Sequence, residues 1–372
     1  MRVLFWSELF WPYVGGIEVQ GLPFLRGLMA RGHRAAVVTS HGSLDLPDQE
    51  THGGIPIHRF RFLEAMAARR LEELGHARRR LRQVKEEFRA DVTVLNFTDP
   101  SAMFHWTTEP EPTSRTIVSI RVALPEREHA GPDTLVGRTL MNASWVTAVS
   151  RAMLEDVVGM APYIRGKASA IHDGLDLPEL APSPLPFEKP RIVCLGRVVR
   201  DKGFDVAVRA MPMLCARFPQ IKLVIAGGGP ELDSLKRQAE EEGVAGAVEF
   251  PGWIAPERVP ELLNGSTVVW MPSRWREAFG LVALQGMQMG RPVVASDVGG
   301  LPEVVAHGET GQLVPKEDSH ALAEATARLL DQPELAIRMG TAGRRRAEQL
   351  FHLNNNVREY EALFSRLTQG TA

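Results

Sequence analysis

Residues able to do chemistry recur directly after short apolar runs. Cys194-Leu195-Gly196-Arg197 closes one run and Asp201-Lys202-Gly203 follows it, so Arg197 and Lys202 share one loop. Arginine offers a planar fork to phosphate oxygens and lysine a compact point charge, a pairing that suits a diphosphate. Two solvated surface charges are the plainer reading; the strand-end position favours the first. Gly227-Gly228-Gly229-Pro230 follows the next run, although a glycine triplet before a helix is also a common structural turn. Gly252-Trp253-Ile254 offers a flat apolar slot for a base, with Trp253 equally readable as a core residue. Further on, a run ends at Met271, a loop carries Glu277, and a helix is expected to start near Phe279, Gly280 and Leu281. Free amides at a helix start attract an anion. Gln285 follows Glu277 by eight residues, a little over two helical turns, which would aim both at one ligand.

Near the N-terminus, Phe10-Trp11-Pro12-Tyr13-Val14-Gly15-Gly16-Ile17-Glu18 follows the first apolar run. Gly15 and Gly16 let backbone amides approach an anion, or simply make a tight strand-to-helix turn. The spacing is not the G-x-G-x-x-G of a dinucleotide site, which argues against a nicotinamide dehydrogenase. Pro23 lacks an amide donor, so the helix here is expected to kink or to begin late, near Leu22, and to end at Gly32.

The elements that must position these residues alternate short apolar runs with helical patterns, the signature of βαβ units around parallel sheets. Strands are expected at Val3–Trp6, Ala35–Thr39, Val92–Leu95, Thr116–Ile120 and Trp145–Val149. A second set is expected at Arg191–Leu195, Lys222–Ala226, Ala247–Phe250, Thr267–Met271 and Pro292–Ala295. The prolines at 182, 184, 186 and 190 mark an extended linker over 181–190. The expected organisation is an α/β chain with two doubly wound domains, 1–180 and 191–350, and a helix over 351–372 packing across them. Val357, Tyr360, Leu363, Phe364 and Leu367 form the stripe of that helix. Ligands of open α/β sheets bind at the carboxyl ends of the strands, so a cleft between the two sheets is the expected site.

With 44% hydrophobic and 24% charged residues over 372 positions, the composition excludes a disordered chain, a collagen-like fibre and a polytopic membrane protein. A formal charge of -2 supplies no global field for nucleic acid, which is not an expected partner. Cys194 and Cys215 are too few for a disulfide framework or a zinc site and suit a reducing cytoplasm. The apolar run at Val3–Trp6 is too short for a secretory signal.

Glu277-Ala278-Phe279-Gly280-Leu281 through Gln285, then Gly290-Arg291-Pro292-Val293-Val294-Ala295, resembles the retaining GT-B glycosyltransferases of family 4. Gly15-Gly16, Gly32-His33, Thr147-Ala148-Val149-Ser150, Gly196-Arg197, Lys202-Gly203 and Gly227-Gly228-Gly229-Pro230 match the same family in the same order. The resemblance covers nearly the whole chain. It implies a GT-B fold, a nucleoside diphosphate sugar (UDP- or GDP-linked) as co-substrate, no other cofactor and no metal. By matching positions, Arg197 and Lys202 bind the diphosphate, Glu277 contacts donor-sugar hydroxyls, and the amides around Phe279–Leu281 add phosphate contacts. Gly16 would lie against the donor in a closed state. The acceptor is unidentified and is expected to meet the N-terminal half.

Departures from the family pattern stand out. Gln285 replaces a second Glu that binds ribose hydroxyls; Gln still accepts one hydrogen bond and donates another, without charge assistance. Arg121 occupies the place of a His beside the donor sugar, and Asn96 replaces another frequent His. His172-Asp173-Gly174 resembles an Asn-Gly turn with Asp for Asn, read as a structural change. A buried Arg121 needs an anionic partner: Asp99 or Glu18, a carboxylate on the donor sugar, or an acceptor phosphate. These departures also admit a non-catalytic nucleotide-sugar binding or partner protein, and a GT-B sugar-nucleotide epimerase is a third reading. Arg78, Arg79, Arg80, Arg82, Lys85 and Arg89 make a basic helical face, with Leu74, Leu81, Val84 and Phe88 as its apolar stripe. It reads either as a solvated helix on the first sheet, the favoured reading, or as a peripheral contact with the inner membrane face.

Overall fold

The computed structural model describes residues 1–96, 101–108, 115–124 and 131–369. The chain forms two compact units: Met1–Gly174 together with Leu353–Ala372, and Leu175–His352.

Among the described residues, the first unit is built on β1 (Arg2–Trp6), β2 (Arg34–Ser40), β3 (Gln49–His52), β4 (Ile55–Phe60), β5 (Val92–Asn96), β6 (Arg115–Ile120), β7 (Trp145–Ala148) and β8 (Ala168–Ala170). Their order is β3-β4-β2-β1-β5-β6-β7-β8. The pairings are parallel except β3 with β4. Central strands such as β1, β5 and β6 are buried along nearly their whole length and rich in Val, Ile, Leu and Phe, because helices cover both faces of a doubly wound sheet. Val3, Phe5, Val37, Val94 and Ile117 are buried in one core with Val357, Tyr360 and Phe364 of the C-terminal helix Leu353–Gln369. The Tyr360 hydroxyl lies 3.2 Å from Ser119 Oγ and 3.1 Å from Thr147 Oγ1, which fastens this helix to β6 and β7. The helix expected to pack across both domains is thus a member of the first.

Helix Gly16–Ala30 starts at Gly16, not near Leu22, and runs through Pro23. Its first turn is closed by the Val19 amide donating to the Gly15 carbonyl at 3.0 Å, so the proline removes one bond within a helix that tertiary packing retains. The basic helix Leu71–Phe88 buries Leu81, Val84 and also Lys85. The Lys85 ammonium donates to the His105 carbonyl at 2.8 Å, and Arg80 donates to Asp48 Oδ2 at 2.8 Å. Burial, and then the Lys85 charge, hold His105 well below the usual histidine range. Two of the cations expected on one surface face are therefore turned inward, while Arg78, Arg79, Arg82 and Arg89 stay exposed.

The second unit is built on β9 (Arg191–Leu195), β10 (Lys222–Ala226), β11 (Val248–Gly252), β12 (Val268–Met271), β13 (Val293–Ser296) and β14 (Gly311–Val314), in the order β11-β10-β9-β12-β13-β14. All pairs are parallel, with Val193 opposite Val224 on one side and Val269 on the other. Ile192, Cys194, Met211, Ile225, Trp270 and Leu322 anchor its core, where Trp270 Nε1 donates to Thr326 Oγ1 at 2.8 Å.

The proline-rich stretch is part of this unit rather than a free linker, and the passage between units falls at Gly174 and Leu175. The Ser183 amide donates to Asn264 Oδ1 at 2.8 Å, and Leu185 and Phe187 pack on the core. The Arg291 guanidinium is fully buried and donates to the carbonyls of Ser183 and Ser266 and to Asn264 Oδ1. Arg291 thus serves the framework. No helix among the described residues is long and apolar enough to cross a membrane.

Candidate functional site

Strands β9 and β12 are parallel neighbours, so the loops leaving their carboxyl ends lie side by side. The first carries Gly196, Arg197 and Lys202; the second carries Ser273 and Glu277. The Lys202 ammonium donates to Glu277 Oε1 at 2.5 Å, and Ser273 Oγ donates to the same oxygen at 2.7 Å. Both side chains of the ion pair are partly buried, 26% exposed for Lys202 and 15% for Glu277. One carboxylate oxygen is thereby held in place, and the other makes no bond among the described residues. Arg197 is exposed and its guanidinium has no ion-pair partner among the described residues. Lys202 and Glu277, assigned to different ends of the donor from sequence, are in direct contact here, and Ser273 was not singled out.

Backbone packing fixes these loops. Gly203, directly after Lys202, has φ +66, and a Cβ there would stand 1.9 Å from the Pro272 carbonyl oxygen. Gly299 has φ +56, where a Cβ would stand 2.2 Å from the Glu277 carbonyl oxygen, and the Gly300 amide donates to that carbonyl at 2.8 Å. A side chain at either place would push apart the turns that hold Lys202 and Glu277. In the Gly227-Gly228-Gly229 turn, Gly227 and Gly229 pack against the backbone of Gly196 and Val198, while Gly228 faces open space.

Helix Leu281–Gln288 begins after Gly280 (φ +114), four residues beyond Glu277, and no side chain among the described residues caps its first amides. Those amides are the anion-attracting groups expected near Phe279, Gly280 and Leu281, of which Phe279 itself is buried. Because Glu277 lies outside the helix, the two-turn spacing to Gln285 does not apply; Gln285 stands one turn into the helix, half-buried. Trp253 is 64% exposed, so it is not a core residue, and the neighbouring Ile254 is half-buried.

In the first unit, Gly15 caps helix Gly16–Ala30 and the Glu18 carboxylate folds back beside it, so that helix start already faces a negative group. Gly16 is exposed. Arg121 leaves the end of β6 and donates to Asp173 Oδ1 at 2.5 Å, with 10% and 6% of the two side chains exposed. Among the described residues its ion-pair partner is Asp173 and not Glu18; Asp99 lies outside the described residues. Asp173, read from sequence as a turn residue, is a buried counter-ion. Burial pushes its carboxyl above the usual range despite the opposing Arg121 charge. Arg121 also lines a small cavity with Gln20, Asn96, Asn356 and Tyr360.

A family model described as "Glycosyl transferases group 1" matches residues 179–346, and one described as "Glycosyl transferase 4-like domain" matches 15–171. The chain is 42% identical over 163 residues to a GDP-mannose-dependent alpha-(1-6)-phosphatidylinositol monomannoside mannosyltransferase of Mycolicibacterium smegmatis, covering 42% of this chain and 43% of that one. It is 31% identical over 258 residues to a D-inositol 3-phosphate glycosyltransferase of Streptomyces avermitilis, covering 64% and 52%. The chain thus spans between about two fifths and about half of the length of these curated relatives. In fold it is similar to a sucrose-phosphate synthase from Thermosynechococcus elongatus, with TM-score 0.81, 23% identity and full coverage of both chains (100% each). A second likeness is to an Anabaena protein solved with UDP and glucose, with TM-score 0.78, 20% identity and coverage of 98% and 99%.

Proposed function

The chain belongs to the GT-B glycosyltransferases of family 4, and on that premise we propose that it moves a glycosyl unit from a nucleoside diphosphate sugar to an acceptor, with retention of anomeric configuration and without a metal ion. The observation that carries this reading is the Lys202–Glu277–Ser273 contact beside the uncapped start of helix Leu281–Gln288. Lys202, the exposed Arg197 and the helix amides form a cationic edge for a diphosphate, and the unengaged oxygen of Glu277 is an acceptor for a sugar hydroxyl. On this reading the loops after the adjacent strands β9 and β12 serve the diphosphate and the sugar, and Trp253, in the loop after β11 on the far side of β10, meets the base.

As the glycosidic bond to the leaving phosphate lengthens, negative charge grows on the diphosphate. Fixed cations and amide dipoles there stabilise the transition state more than the ground state. Retention then follows from attack on the face the phosphate leaves, with the departing phosphate oxygen taking the acceptor proton. UDP or GDP is the nucleotide carried, and the cytoplasm, where the free thiols of Cys194 and Cys215 stay reduced, is the compartment.

The test is release of UDP or GDP from a panel of UDP- and GDP-sugars, offered with sugar, polyol and lipid-linked acceptors. Turnover should persist in excess EDTA and give a product of unchanged anomeric configuration by NMR. Loss of turnover with chelator, or an inverted product, would refute the mechanism.

A further inference from the structure

The guanidinium of Arg274 lies among the turns that hold the site without belonging to any assigned contact. It grips Asp205, at the start of helix Phe204–Arg217, with both terminal nitrogens. Nη1 also donates to the Arg200 carbonyl at 3.3 Å, and Nε donates to Glu317 Oε1 at 2.8 Å. Its own amide donates to the Asp201 carbonyl at 2.9 Å. Arginine carries five N–H donors, and these bonds engage four of them, so the group is committed within the protein rather than offered to an anion. The side chain is 18% exposed, where a two-pronged carboxylate grip is stronger than a surface ion pair. Glu317 holds φ +63, a conformation that costs a non-glycine residue energy and is sustained by surrounding contacts.

The bonded carbonyls belong to the two residues before Lys202, and Arg274 itself lies three residues before Glu277. We infer that Arg274 is a positioning residue that fastens the Lys202 turn to the Glu277 turn and thereby sets the diphosphate end of the site. The inference rests on the donor reading above. Burial pushes the Asp205 carboxyl up, but the Arg274 hydrogen bonds and charge outweigh it and hold Asp205 below its ordinary range, as such a grip requires.

The experiment compares the full chain with Arg274→Met, Arg274→Lys and Asp205→Asn. Affinities for UDP, UMP, GDP and GMP are measured by calorimetry, and amide exchange is followed over 196–203 and 272–280. Arg274→Met should weaken the preferred diphosphate about tenfold while its monophosphate changes by less than about twofold. Exchange should rise in both segments together, Lys should restore part of the loss, and Asp205→Asn should reproduce it without adding to Arg274→Met. Equal weakening of mono- and diphosphate, or exchange rising in one segment alone, would overturn the inference. Failure of the unmodified chain to bind UDP or GDP would instead sink the donor reading, and coupled exchange, which needs no nucleotide, would still decide whether Arg274 joins the turns.

Discussion

Arg121 and Asp173, both read from sequence as departures from the pattern of the family the chain resembles, are paired with each other in the structure. Their opposite charges compensate each other, so Arg121 offers no spare charge to a carboxylate on a sugar. Removing one partner leaves the other buried without compensation, which costs about 3–5 kcal/mol. Arg121→His and Asp173→Asn should each lower stability markedly in urea unfolding, while the double variant recovers most of the loss. Burial, opposed by Arg121, raises the Asp173 pKa above its unfolded value. Its contribution is therefore most favourable below the unfolded carboxyl pKa and falls as pH rises through the folded one. Without the Arg121 charge that pKa rises further, so the Arg121→His deficit should shrink on acidification. A deficit that is constant with pH would contradict the pairing. Asp173 escaped the sequence reading because its partner is 52 residues away and its Asp-Gly context already had a sufficient local explanation as a turn.

At the scale of elements, close backbone approaches hold the loops around Lys202 and Glu277. Gly203→Ala would place an L side chain at φ +66, at a cost of about 1–2 kcal/mol, before the collision with Pro272 is counted. It should lower the melting temperature and weaken diphosphate binding together; an unchanged affinity would show that the turn does not set Lys202. The bounds of β9 and β10 were legible because buried parallel strands read as unbroken apolar runs. Strands β3, β4, β8 and β14 were not. Gln49–His52 is a polar edge pair, Ile55–Phe60 contains Pro56 and Arg59, and Ala168–Ala170 and Gly311–Val314 are short and weakly apolar. Helix Gly16–Ala30 began earlier than Pro23 suggested because packing overrides a local penalty. The roles of Ser273, Arg274 and Asp205 were equally hidden, since each acts across a loop contact that spacing alone does not reveal.

At the scale of the whole molecule, the chain order and the units do not coincide: the last helix completes the core of the first unit. Each large apolar side chain it buries contributes about 1.5–3 kcal/mol. Val357, Tyr360, Leu363 and Phe364 together contribute about 6–12 kcal/mol, comparable to the whole stability of an ordinary domain, about 5–15 kcal/mol. A chain ending at His352 should lose the first unit's cooperative transition in calorimetry while the second keeps its own. Two intact transitions would show that the helix is dispensable to the first core.

The central claim is that the Lys202–Glu277 edge of the second unit receives the diphosphate of a nucleotide sugar. Thermal unfolding with UDP, GDP and their sugars, in the unmodified chain and in Lys202→Ala, tests it most directly. A hundredfold excess over the dissociation constant should add about 2.7 kcal/mol to the unmodified chain. Loss of a charge-assisted contact, about 1.5–3 kcal/mol, should remove most of that gain in Lys202→Ala at the same ligand concentration. The same stabilisation in both proteins, or none in the unmodified chain with any of these nucleotides, would contradict the claim.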